Sequence, residues 1–142
     1  MTLLDDLCAD LRAEGDELAN VLAGLDEAGW DTMTASEPWL VKDQISHLAW
    51  NDDATVRALT MPDEFLATKP DGPAAIQAMV DQVIVDYHHL TGIEMLTWFR
   101  EARGSLIDAF VGRDPKERMP WYGPEMSLAS KLTARFMETW AH

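Results

Sequence analysis

Glu138 and His142 stand four residues apart at the end of the chain. At that spacing two side chains stack on one face of a helix and can chelate a single ion. The same face carries Lys131 and Arg135, so helical periodicity alone favours a solvated face with Arg135–Glu138 and Glu138–His142 pairs, each worth about a few tenths of a kcal/mol. His47 lies opposite the Ile45, Leu48, Val56 and Leu59 stripe of its helix, beside Trp50, Ala54 and Ala58. Apolar residues on both sides predict a helix buried on both sides, with His47 as either a hydrogen-bonded interior histidine or a ligand. His88 and His89 are neighbours, point about 100° apart on a helix, and are assigned to the surface or to an interhelical contact. Asp52 falls on the Ile45 side, as a buried hydrogen-bond acceptor or, less directly, as a residue supporting a site. No nucleophile-elbow context surrounds any serine, and no glycine-rich phosphate loop is present.

These residues need helices to position them. Apolar residues from Leu3 to Leu25 recur with helical spacing, with Thr2 as the expected N-cap and Gly29 closing the region. A second helix is predicted from Val41 to Thr60, ending before Pro62, and a third from Ala74 to Leu90. Thr91-Gly92-Ile93-Glu94 fits a capping box that opens a fourth helix reaching Val111, with Gly112 ending it. Arg113 to Met126, with Pro115, Pro120, Gly123 and Pro124, has no helical period and the length of a functional loop. A last helix begins near Ser127, its apolar arc on Ala129, Leu132, Phe136 and Trp140. No segment shows the alternation of a strand, so the expected class is all-α: a bundle of four main helices and one shorter or broken one, in a single domain spanning residues 1–142.

Charge narrows the partners. Twenty-five acidic residues against 11 basic give a net charge of −14, which repels phosphate backbones and anionic membrane surfaces. Cys8 is the single cysteine, so no internal disulfide exists, and it reads as a small core residue. Acidic residues stand where a signal peptide would need Lys or Arg, and no apolar run has the length of a membrane span; a cytoplasmic protein is expected.

Two segments carry a resemblance: "WDTMTASEPWLVKDQISHLAWND", residues 30–53, and "MPWYGPEMSLASKLTARFMETWAH", residues 119–142. Together with the opening helix they resemble the N-terminal domain of mycothiol-dependent maleylpyruvate isomerase, within the DinB-like metal-binding bundles and nearest a poorly characterised actinobacterial branch. The resemblance implies a divalent metal, zinc or nickel, on His47, Glu138 and His142. Two imidazoles and one carboxylate leave positions open for water or a thiolate, as catalytic sites do. It further implies a low-molecular-weight thiol, mycothiol, activated as a nucleophile on the metal for isomerase or transferase chemistry on a small electrophile such as maleylpyruvate. Trp50, Trp121 and Tyr122 become candidates for the substrate pocket, and Asp52 for a supporting residue. DinB-like bundles often dimerise, which extends to this chain the expectation of a homodimer. The alternative is a non-catalytic metal- or ligand-binding bundle. Pro38 replaces the glycine that relatives carry before Trp39. Relatives also continue past the last ligand into more helix and often a second, smaller domain, so the chain reads as shortened after His142.

Overall fold

A computed structural model describes residues 3–34 and 39–141, with the side chains of this span except those of 136 and 138–141. The proposed cap Thr2 therefore lies outside the described residues. Helix α1 (Leu3–Ala23) buries Leu4, Cys8, Leu11, Gly15, Ala19 and Leu22, one face at three- and four-residue steps. It ends earlier than the Gly29 boundary expected. A separate turn of helix, α2 (Glu27–Trp30), starts at the N-cap Asp26, whose Oδ1 accepts a 2.8 Å hydrogen bond from the Gly29 N–H.

Helix α3 (Val41–Thr60) has the predicted bounds and is buried on several sides, from Asp43 to Leu59. The Leu40 N–H donates to Asp43 Oδ2 at 2.9 Å, which closes its first turn. Pro62 does not end the helical path but opens a second short helix, α4 (Pro62–Thr68), because proline at the first helical position costs no hydrogen bond. Helix α5 is Gly72–Tyr87, and α6 is Gly92–Phe110. The capping box forms as the sequence suggests: Glu94 N–H donates to Thr91 Oγ1 at 3.2 Å, and Thr91 N–H donates to Glu94 Oε1 at 3.0 Å. Gly112 follows with φ +80°, the left-handed conformation that suits glycine just beyond a helix end.

The expectation of no strands is corrected. Arg118–Met119 (β1) pairs antiparallel with Met126–Ser127 (β2), and Met33 bridges Leu40. Two-residue strands are too short to carry a detectable alternation. Helix α7 (Leu128–Ala141) follows β2 directly.

Four helices build the bundle. α6 lies against α3 and α1, and α7 lies chiefly against α1, meeting α3 over only a short stretch; α4 and α5 are laid on α3. The apolar core is divided. One cluster gathers Leu4, Cys8, Leu11, Ala58, Leu59, Phe65, Leu106, Phe110, Leu128 and Leu132. The other gathers Ala19, Leu22, Trp30, Ile45, Leu48, Met95, Phe99 and Ala102. On α1, α3 and α6 the residues falling between the two sets include Gly15, Asp52 and Arg103. These three meet: Arg103 Nε donates to Asp52 Oδ2 at 2.8 Å, and the Arg103 side chain crosses Gly15, its Cγ 3.2 Å from where a Cβ would stand. A charged layer thus separates two greasy halves. The order in which each helix visits the clusters makes α3 and α6 run one way and α1 the other, and α7 starts from the same end as α1. No described helix is long and apolar enough to cross a membrane.

Candidate metal centre and its aromatic wall

His47 sits on α3 on the Leu48 side of the charged layer, half-buried. Its ring centroid lies 5.1 Å from that of Trp39, tilted 54°. Four residues on, Asn51 holds it twice. The amide Nδ2 donates to the His47 carbonyl at 2.8 Å and lies 3.3 Å from ring Nδ1. The amide nitrogen donates, so in this contact Nδ1 is the acceptor and the neutral ring carries its proton on Nε2.

Glu138 lies in α7, and its side chain, with the whole of His142, falls outside the described residues. Backbone geometry still relates the two helices. Arg135 Nη1 lies 3.9 Å from Asp52 Oδ1, which ties α7 to α3 across the charged layer. At 1.5 Å per residue, His47 is about 7.5 Å from Asp52 along α3. The backbone of residues 138–141 extends about 4.5 to 9 Å beyond Arg135, in the same direction. The last turn of α7 therefore runs on from Arg135 toward the His47 end of the bundle. Among the described residues no three His, Cys, Asp or Glu side chains come together as a metal cluster.

The expectation of a solvated face at Lys131 and Arg135 is overturned: they are 2% and 5% exposed. Leu128, Lys131, Leu132 and Arg135 recur at i, i+3, i+4 and i+7, so both cations lie on the stripe that packs inward. That spacing was readable, but Lys and Arg are almost never buried unless partnered. The partners supply the reason. The Lys131 ammonium stands 2.7 Å from the centre of the Trp121 ring, a cation–π contact in a dry setting, and Arg135 reaches Asp52. Asp52 itself is 0% exposed; burial pushes its carboxyl up, with the Arg103 and Arg135 charges working against that shift.

The three aromatic candidates gather. Trp50 stacks on Tyr122 at 6.0 Å and 14°, while Tyr122 packs on Trp121 at 4.9 Å. Phe65 of α4, not singled out from the sequence, joins them at 4.9 Å from Tyr122 and 5.8 Å from Trp121. Burial pushes the Tyr122 hydroxyl up, so it keeps its proton through neutral pH. Trp121 and Tyr122 form one wall of a cleft of about 630 Å³, with Lys69, Pro70, Ile76 and Gln77 opposite. Trp50 does not line this cleft; it backs Tyr122 and links the wall to the helix of His47.

The other two histidines stand apart from this wall. His88 Nδ1 lies 3.3 Å from Asp43 Oδ1, the interhelical contact expected of it, and His89 lines a different cleft beside Tyr87 and Trp98.

With this geometry, the comparison with known proteins is direct. A sequence model of the mycothiol maleylpyruvate isomerase N-terminal domain matches residues 11–142. The chain belongs to this family. Two uncharacterised Mycobacterium tuberculosis proteins, from strains CDC 1551 / Oshkosh and H37Rv, are each 36% identical over 134 residues, covering 94% of the chain and 52% of the relative. The chain thus spans about half the length of these curated relatives. The crystal structure of the mycothiol-dependent maleylpyruvate isomerase superposes with a TM-score of 0.77 at 16% identity, over 100% of this chain and 61% of that one. The sibling lethal factor precursor DfsB superposes at 0.74 and 13% identity, over 99% and 90%. At these identities the likeness establishes the shared helical fold, and it extends the mycothiol maleylpyruvate isomerase N-terminal fold to this chain.

Proposed function

We propose that the chain holds a divalent metal ion, zinc or nickel, on His47, Glu138 and His142, and serves a mycothiol-dependent isomerase or transferase acting on a small electrophile such as maleylpyruvate. The observation that supports this reading is a half-buried His47 on the Leu48 side of the charged layer, the side toward which α7 runs on from Arg135. Two imidazoles and a carboxylate suit zinc or nickel, and three ligands leave room for an exogenous thiol. When bound, such an ion lowers the pKa of a thiol so that it reacts as thiolate near neutral pH.

The chain's own groups then bind and orient. Lys69 is the cation of the cleft and attracts a carboxylate of the electrophile; Trp121 and Tyr122 exclude water from its conjugated part. The protonated Tyr122 hydroxyl can donate a hydrogen bond to a carbonyl oxygen. For isomerisation, thiolate addition turns a conjugated double bond into a single bond, rotation follows, and expulsion of the thiol restores the double bond in the trans form. In transfer the thioether remains, once the adduct carbon takes a proton or, with a chlorinated electrophile, chloride leaves.

Half-burial of Trp121 and Tyr122 against Phe65 favours a second reading, a non-catalytic metal- or ligand-binding bundle in which these rings are core. Elemental analysis of the purified protein tests the first claim: less than about a tenth of a metal per chain overturns it. His47→Ala should lower the content and His88→Ala should not. Metal-loaded protein is then incubated with mycothiol and maleylpyruvate, and with mycothiol and monochlorobimane. Turnover of either supports the enzyme; metal without turnover in both assays supports the binding bundle.

A further inference from the structure

Among the described residues, the two helices of the proposed metal site meet over only a short stretch of backbone. α3 lies on α6, α7 lies on α1, and between α3 and α7 there is only a short meeting. Something else must set their spacing. The ties across this seam include the charged layer, where Asp52 of α3 takes Arg103 of α6 on Oδ2 at 2.8 Å and faces Arg135 of α7 from Oδ1 at 3.9 Å. All three side chains are nearly or wholly buried, at 0%, 4% and 5% exposure. Arg103 is in turn seated on α1 by the missing side chain of Gly15 and on its own helix by the Phe99 ring, 5.0 Å from its guanidinium. One carboxylate therefore gauges four helices.

We infer that the Asp52–Arg135 contact, braced by Arg103, is the positioning device that fixes the register of α7 against α3, and with it the distance between His47 and residue 138. This rests on the proposed metal site and deepens it. Asp52 is five residues from His47, and Arg135 is three from Glu138, so a slip at the contact is delivered to the ligands within about two helical turns. Buried ion pairs add little to net stability compared with apolar side chains of the same size, whereas they do specify one arrangement in well-studied cases. A greasy contact here would tolerate sliding; drawing this buried pair apart costs electrostatic attraction in a dry layer.

The test uses Arg135→Met, which keeps length and burial, with Arg135→Lys as the conservative variant. Zinc affinity is measured by competition with a chromophoric chelator, and backbone amide exchange over residues 136–141 is measured on metal-free protein at a temperature where circular dichroism shows each variant folded. Expected are roughly tenfold or greater weakening of zinc binding in Arg135→Met, faster exchange confined to 136–141, and recovery of most of both in Arg135→Lys. A purely stabilising role would lower the melting temperature and leave affinity and local exchange unchanged; that result overturns the inference. Where Arg135→Met does not fold, Asp52→Asn carries the same two readouts, since it removes the charge and keeps the shape. Where wild-type protein takes up no zinc, the metal reading fails and the exchange measurement alone decides: faster exchange at 136–141 upholds the positioning role, and unchanged exchange ends it.

Discussion

The indole of Trp30 occupies the space that a Cβ on Gly92 would need. Gly92 opens α6, and its N–H donates to both oxygens of Glu27, at 3.0 and 3.1 Å. One turn of helix, α2, thus plugs the start of α6 with a ring and caps it with a carboxylate. Gly92→Ala must push back either the buried ring or the helix backbone. The expected loss is about 1–3 kcal/mol, the usual cost of overpacking, read from urea unfolding midpoints at unchanged slope.

The other cap at the same end is pH-dependent. The Thr91 backbone N–H, and then its hydroxyl, hold the Glu94 carboxyl below its ordinary range. A carboxyl depressed in the folded state contributes stability above its unfolded pKa, and that contribution disappears as pH falls through the folded value. The melting temperature of Glu94→Gln should therefore lie below wild type at pH 7, and the gap should narrow as pH falls below the ordinary glutamate range. A gap of constant size would rule the linkage out.

Lys131 and Trp121 join α7 to the loop that carries the aromatic wall. In a desolvated contact of this kind the coupling is about 2 kcal/mol. A double-mutant cycle with Lys131→Met and Trp121→Leu isolates it from the burial each side chain contributes separately. Additive losses would show that the ammonium is indifferent to the ring.

Zinc should stabilise the folded chain by mass action, by about 2.7 kcal/mol at a hundredfold excess over its dissociation constant. For a domain of this size that is a rise of about 8 °C in melting temperature. A chelator should reverse the rise, His47→Ala should abolish it, and His88→Ala should retain it.

How much of this was legible beforehand depended on the range of the interaction involved. The bounds of α3 and the Thr91–Glu94 cap are local, written within a few residues, and both were readable. Phe65 went unnoticed because Pro62 reads as a stop, and only the packing of the α4 turn onto α3 makes it a start. The burial of Arg135 and Lys131 was hidden for a different reason. Their stripe is visible at i, i+3, i+4 and i+7, but burying a cation is reasonable only once its partner is known, and Asp52 is 83 residues earlier than Arg135 by subtraction of their numbers. The pairing of Asp52 with Arg103 is equally remote. The metal ligands differ again: His47 has a local signature of interior placement, whereas Glu138 and His142 read as surface until the resemblance of the flanking segments is considered.

The charged layer across Gly15, Asp52 and Arg103 also acts as a bulkhead. Repacking on one side, around Leu59, Phe110 and Leu132, meets ion-paired side chains rather than a continuous apolar interior before it reaches Leu48 and Phe99. Substitutions in the two compartments should accordingly sum with little interaction, as separated sites do.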